Sequence, residues 1–173
     1  MSYDPKTIQS AIKKALVDNN TTTSSYDLSA NLAKDRVGDD SIKTGHPPNQ
    51  PMGLLQYPWV TVYTLRDEEK YAELGNSPRR AITVDFVIAA FANAYPLQTL
   101  NSMAGDAAAA SDDEAMTLAR NIKTILRNEP RLSNTVYWCD IVGTDYDAQQ
   151  GGENNSVYVS SAKITVRCIL HST

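Results

Sequence analysis

The run AITVDFVIAAF at residues 81–91 sets the terms for the whole chain. Ile82, Val84, Phe86, Ile88 and Ala90 recur at every second position, so a strand places all five on one face, while Thr83, Asp85, Val87 and Ala89 leave the other face half polar. A face that apolar must be covered by a second layer. Two helical stripes are available for it. Ala115, Leu118, Ala119, Ile122, Ile125 and Leu126 recur at helical spacing, with Lys123 and Arg127 toward the C-terminal end and Pro130 beyond. Ser111-Asp112-Asp113-Glu114 reads as the capping box that starts this helix. Asp4-Pro5 reads as the cap of another, in which Ile8, Ala11, Ile12, Ala15 and Leu16 face inward, Lys6, Gln9, Lys13 and Lys14 face outward, and the end falls near Asn19.

Three further strands are predicted. WVTVYTL at 59–65 puts Val60 and Val62 on one face and Trp59, Thr61 and Tyr63 on the other, after which RDEEKYAELGNSPRR breaks the pattern. TVYWCDIV and VYVSSAKITVRCIL follow, joined by GTDYDAQQGGENNS, a long turn rich in Gly, Asn and Asp. In the last strand Ile164, Val166, Cys168 and Leu170 share a face, and Lys163, Thr165 and Arg167 the other. The expectation is a single α+β domain over residues 1–173: a mainly antiparallel four-stranded sheet, two helices packed on one face, and a long irregular loop after the first helix. A turn centred on Gly151-Gly152 places Cys139 opposite Ile164, with Cys168 about 13 Å further along, so both cysteines are expected to remain thiols.

The loop, residues 20–57, shows no sustained period and is long for a compact domain. It ends in HPPNQPMGLLQYPWV, where Pro47, Pro48, Pro51 and Pro58 keep the chain irregular and extended. Met52, Leu54, Leu55, Tyr57 and Trp59 are apolar groups in a stretch that cannot form a helix or a central strand. A neighbouring subunit is the expected cover, with Leu54 and Leu55 as anchors.

Chemistry is sparse. No glycine-rich phosphate loop, serine elbow or paired-histidine zinc motif occurs. Cys168 and His171 are three residues apart on a strand and point to opposite faces, Ser10 and Lys13 lack the companions of a nucleophile motif, and the helix start accounts for Asp112, Asp113 and Glu114. Asp85 admits two readings, a general base with its pKa raised by burial or a carboxylate paired across strands with Lys163 or Arg167; the second is expected because no nucleophile or histidine accompanies it. No catalytic residue, cofactor or metal is expected. The net charge of −4 and pI near 5.1, with no basic cluster larger than Lys13-Lys14 or Arg79-Arg80, argue against sequence-specific DNA binding. The N-terminus lacks a basic-then-apolar signal pattern and no apolar run approaches the ~18 residues of a membrane span, so assembly in a cytoplasm is expected.

Taken in order, SYDPKTIQSAIKKAL, PWVTVYTL, RRAITVDFVIAAF, SDDEAMTLARNIKTILRNEPRL, and WCDIVG joined to SSAKITVRCIL resemble the tail terminator (tail completion) proteins of long-tailed bacteriophages. The likeness lies in element order and spacing over most of the chain. It implies a virion protein of the head–tail neck. Such a protein forms a ring, usually a hexamer, that caps the tail tube, docks the tube protein to the head-side connector or stopper, and lets DNA pass through without sequence-specific binding. Another neck component, a head completion or adaptor protein, is the nearest alternative, and a small soluble enzyme a more distant one. A wall around moving DNA should be acidic or neutral, because bound phosphate means drag. Two turn clusters fit: Asp67, Glu68 and Glu69, and Asp145, Asp147 and Glu153, at least one of which is expected to line the channel.

Overall fold

A computed structural model describes residues 4–20, 41–47, 58–72, 79–94, 104–151 and 157–172. Helix α1 spans Pro5–Asp18, with Pro5 in its first turn and the Asp4 carboxylate accepting from the Lys6 amide at 2.9 Å. Ile8, Ile12, Ala15 and Leu16 are its buried stripe. Gln9 does not face outward as its position suggests, since its Nε2 donates to the Val62 carbonyl at 2.5 Å. At the other end Asn19 caps the helix and donates from Nδ2 to Glu129 Oε1 at 2.9 Å, which ties the two helices together.

Five strands follow rather than four: β1 (Ile42–Thr44), β2 (Trp59–Ala72), β3 (Arg79–Ala94), β4 (Trp138–Gly151) and β5 (Val157–Ser172), with α2 (Ala104–Asn128) between β3 and β4. They form one sheet in the order β1-β2-β3-β5-β4, antiparallel except that β1 runs parallel to β2. The α+β class stands, and the sheet is mixed. β1 falls inside the segment read as irregular, because three residues are too few to show a period of two.

Three boundaries also differ from the sequence reading. α2 begins at Ala104, so Ser111 sits inside the helix and caps nothing; alanine, the best helix former, carries the helix backward through GDAAAA. β2 continues through the charged run to Ala72, and β4 through most of the long turn to Gly151. Polar residues hold strand geometry there because the ladder with β3 or β5 supplies their backbone bonds. The longer β4 moves the turn centre toward the C-terminus, and each residue of that movement shifts the pairing by two; a bulge between Ile141 and Gly143 returns one. Cys139 therefore lies opposite Cys168, not Ile164.

Both helices cover the same face. Ile8, Ile12 and Leu16 from α1 and Leu118, Ile122 and Ile125 from α2 join Val60, Val62, Ile82, Val84, Phe86, Ile88, Ile164, Val166 and Cys168 in one core. The chain leaves α2 through Leu132, Ser133 and Asn134, whose φ values of 45°, 55° and 66° make a left-handed turn. Non-glycine residues rarely adopt that conformation. The buried Leu132 side chain anchors it in the core, and the Thr135 amide closes it on the Leu132 carbonyl at 3.1 Å. Among the described residues no helix is long and apolar enough to cross a membrane.

Candidate functional site

Three arrangements of side chains stand out, and each follows from the register. The first is a charged row on the face away from the helices: Arg66 on β2, Asp85 on β3, Arg167 on β5 and Asp140 on β4 lie side by side across four strands. Arg66 Nε donates to Asp85 Oδ2 at 2.8 Å, and Arg167 reaches Oδ1 from Nε at 2.8 Å and Oδ2 from Nη2 at 3.1 Å. The hydrogen bonds from Arg167, opposed by burial and reinforced by those from Arg66, hold Asp85 below the usual carboxylate range. A carboxylate so held is a poor base. This is the paired reading of Asp85, with Arg167 as expected and Arg66 added; Lys163 instead stands opposite Asp145 in the register.

Inside the groove between α2 and β4 lies the second. Ser111 Oγ is 2.8 Å from Ser160 Oγ, and the Ser160 hydroxyl donates to Asp112 Oδ1, so Ser111 is the donor to Ser160. Ser111 and Ser160 are buried. An aspartate bonded directly to a serine, with no imidazole or amine between them, does not make a nucleophile. The chain of hydroxyls pins α2 to β5. The groove beside it encloses about 350 Å³ and is lined by Asp112, Met116, Tyr146 and Ala148 among others.

The third arrangement is the β4 edge itself. Among the described residues β4 pairs with β5 alone, so its outer row of backbone donors and acceptors faces away from the sheet. Of the six large hydrophobic residues exposed among those described, Tyr137, Trp138, Val142 and Tyr146 lie on β4 or immediately before it, and Met116 meets Tyr146 across the groove; Leu65 is the sixth. The bulge skips Val142 in the pairing and leaves it 54% exposed.

The residues singled out from sequence divide as follows. Met52, Leu54, Leu55, Tyr57 and Glu153 lie outside the described residues. Trp59 is buried within its own chain and stacks on Phe91, ring centroids 4.3 Å apart and 9° from parallel. Its partner is intramolecular, so it is not a free interface residue. The acidic residues do not form one site: Asp67, Glu68 and Glu69 pair with Val84, Thr83 and Ile82 near the β2–β3 tip, whereas Asp145 and Asp147 pair with Lys163 and Ser161 toward the opposite end of the sheet. Of these, Glu68, Asp145 and Asp147 share the face turned away from α1 and α2. The Trp59–Leu65 edge is partly covered by β1, and the last strand, β5, is interior. Val142, Tyr146 and Met116 were not visible as a group, since only the bulge and the packing of α2 bring them to one border.

No group of three metal-ligating side chains occurs among the described residues, and the His171 side chain lies outside them. In comparisons with known proteins the chain matches no family model and no curated protein.

Proposed function

We propose that this chain is a structural subunit of a bacteriophage neck, a tail terminator that forms a hexameric ring on the tail tube and meets the head-side connector or stopper protein, with DNA passing through. One observation carries the reading: among the described residues, five of the six exposed large hydrophobic side chains lie on β4, just before it or at the groove beside it, and β4 has a strand partner on one side only. Such an edge invites pairing, and soluble chains normally protect it. A neighbouring subunit is the protection proposed here. The far border of the sheet, β1 on β2, presents a different surface, so the contact is head-to-tail and closes into a ring when the rotation allows.

Native mass spectrometry of the purified protein, with a low-resolution image of the assembly, tests this. A six-fold ring supports it. A twelve-fold ring moves the chain to the adaptor class of neck protein, and a monomer or a two-fold dimer as the largest species overturns the ring. The channel is tested separately. With Asp145 and Asp147 toward one end of the face turned away from α1 and α2, and Glu68 of the Asp67–Glu69 cluster toward the other, at least one of the two clusters lines the lumen. Replacing the lumenal cluster with lysines is expected to slow DNA release while leaving assembly intact, with a milder defect at high salt. Normal release from lysine variants of both clusters removes the channel role and leaves the ring in place.

A further inference from the structure

We infer that Cys139 and Cys168 are a disulfide-forming site, a dithiol built across β4 and β5 that a peroxide converts to a covalent bridge. The inference does not rest on the ring. Four observations converge on it. The two residues are register partners on neighbouring antiparallel strands, so both side chains project from the same face. Cys139 directs its backbone N–H to the Pro130 carbonyl at 2.7 Å, so the pair does not exchange both ladder bonds. In a pair of that kind the Cα atoms are about 4.5 Å apart, within the span a disulfide bridges. The two thiols also shift each other's titration, Cys139 downward and Cys168 upward. Finally, the pair lies one residue inside the start of β4, next to the exposed Trp138 and Asp140, with the Pro130 carbonyl rather than another strand on its outer side.

Buried cysteines often serve only as small apolar side chains, and both are in the core. Two of them placed opposite each other on neighbouring strands, with both side chains on one face, are also placed to react with each other. The hydrogen bond from Cys168 holds the Cys139 thiol below its usual range, and the same bond together with burial pushes Cys168 up. Cys139 is therefore the first sulfur to react. As a thiolate it attacks one peroxide oxygen and the O–O bond breaks, giving a sulfenic acid and a hydroxide that takes up the proton Cys139 released. Cys168 then attacks the Cys139 sulfur, the S–S bond forms, the S–O bond breaks, and the departing hydroxide leaves as water with the Cys168 proton. Two thiols lose two electrons and one peroxide becomes two waters.

The test treats the folded wild-type chain with hydrogen peroxide, then measures intact mass and maps peptides without reduction. Expected are loss of the mass of two hydrogens, disappearance of both free thiols, and a peptide carrying Cys139 joined to one carrying Cys168 from the same chain, all reversed by dithiothreitol. In Cys168→Ser the second step is blocked, so dimedone should trap a sulfenic acid at Cys139. Should that variant not fold, the wild-type peptide map decides alone. The inference is overturned if the folded thiols survive peroxide that oxidises the guanidine-unfolded chain, if oxygen is gained without a cross-link, or if the link joins different chains.

Discussion

The two long hairpins, β2–β3 and β4–β5, use one device with different results. Each has a bulge on its first strand that pushes a single apolar residue out of the ladder, Leu65 in one and Val142 in the other, and the two are almost equally exposed at 55% and 54%. Their surroundings differ. Leu65 is followed by Arg66, Asp67, Glu68 and Glu69, all exposed and charged. Val142 stands on a strand that also exposes Trp138 and Tyr146, with Met116 across the groove. An exposed apolar residue means little alone and much in company. On β2 the bulge also has an internal use, since it brings Arg66 into register with Asp85.

This contrast can be broken most directly by placing a lysine at each bulge. Val142→Lys is expected to abolish the assembled species in native mass spectrometry, and Leu65→Lys to leave it unchanged; equal behaviour of the two variants would erase the distinction between the edges. Next in size is the role of the β2 bulge in stability. Asp85→Ala leaves two guanidinium groups facing an empty site, and denaturant unfolding should show a loss of about 2–3 kcal/mol. That is less than the roughly 3–5 kcal/mol of a fully buried pair, because the Arg66 and Arg167 side chains are 61% and 38% exposed.

The same contact has a pH signature. Asp85 titrates lower folded than unfolded, so its contribution is present above the unfolded value, about 3.9, and is lost as pH falls through the folded one. The Tm difference between wild type and Asp85→Asn should therefore be constant near neutrality and close below about pH 4. A gap that instead closes on the alkaline side would assign the effect to another group. The smallest effect concerns the entry to β4 through the left-handed turn. Ser133→Gly removes the strain of a φ of 55° but frees the unfolded chain, for a net gain of about 0.5 kcal/mol in unfolding measurements.

What was legible in the sequence was what repeats. The alternation around Phe86 and the stripe from Ala115 to Leu126 identified the core strand and the helix over it, because periodicity reports which side of an element is buried. That Asp85 pairs across strands with a basic residue of β5 was legible for the same reason, while the choice of Arg167 over Lys163 came only with the register. β1 was hidden by its length, the true start of α2 by a capping signature that the helix overran, and the Cys139–Cys168 pairing by a turn centre misplaced by a few residues. The edge residues were hidden more deeply. Whether a strand is an edge depends on sheet order, and no local pattern in β4 or β5 records that β5 crosses to pair with β3.

The short parallel β1 has a consequence for hydrogen exchange. Among the described residues, Ile42, Lys43 and Thr44 pair with β2, Gly45 adds one bond from its N–H to the Val62 carbonyl, and Ile42 is the one residue of the three-residue strand that is buried. β3, by contrast, is laddered on both sides, to β2 and to β5. Amide protons of β3 should exchange only through global unfolding, while those bonding β1 to β2 exchange through a local opening that leaves the rest of the sheet intact. The border of the sheet opposite β4 is thus held, among the described residues, by a strand of three residues, and each such opening is expected to bare the Val60–Val62 edge.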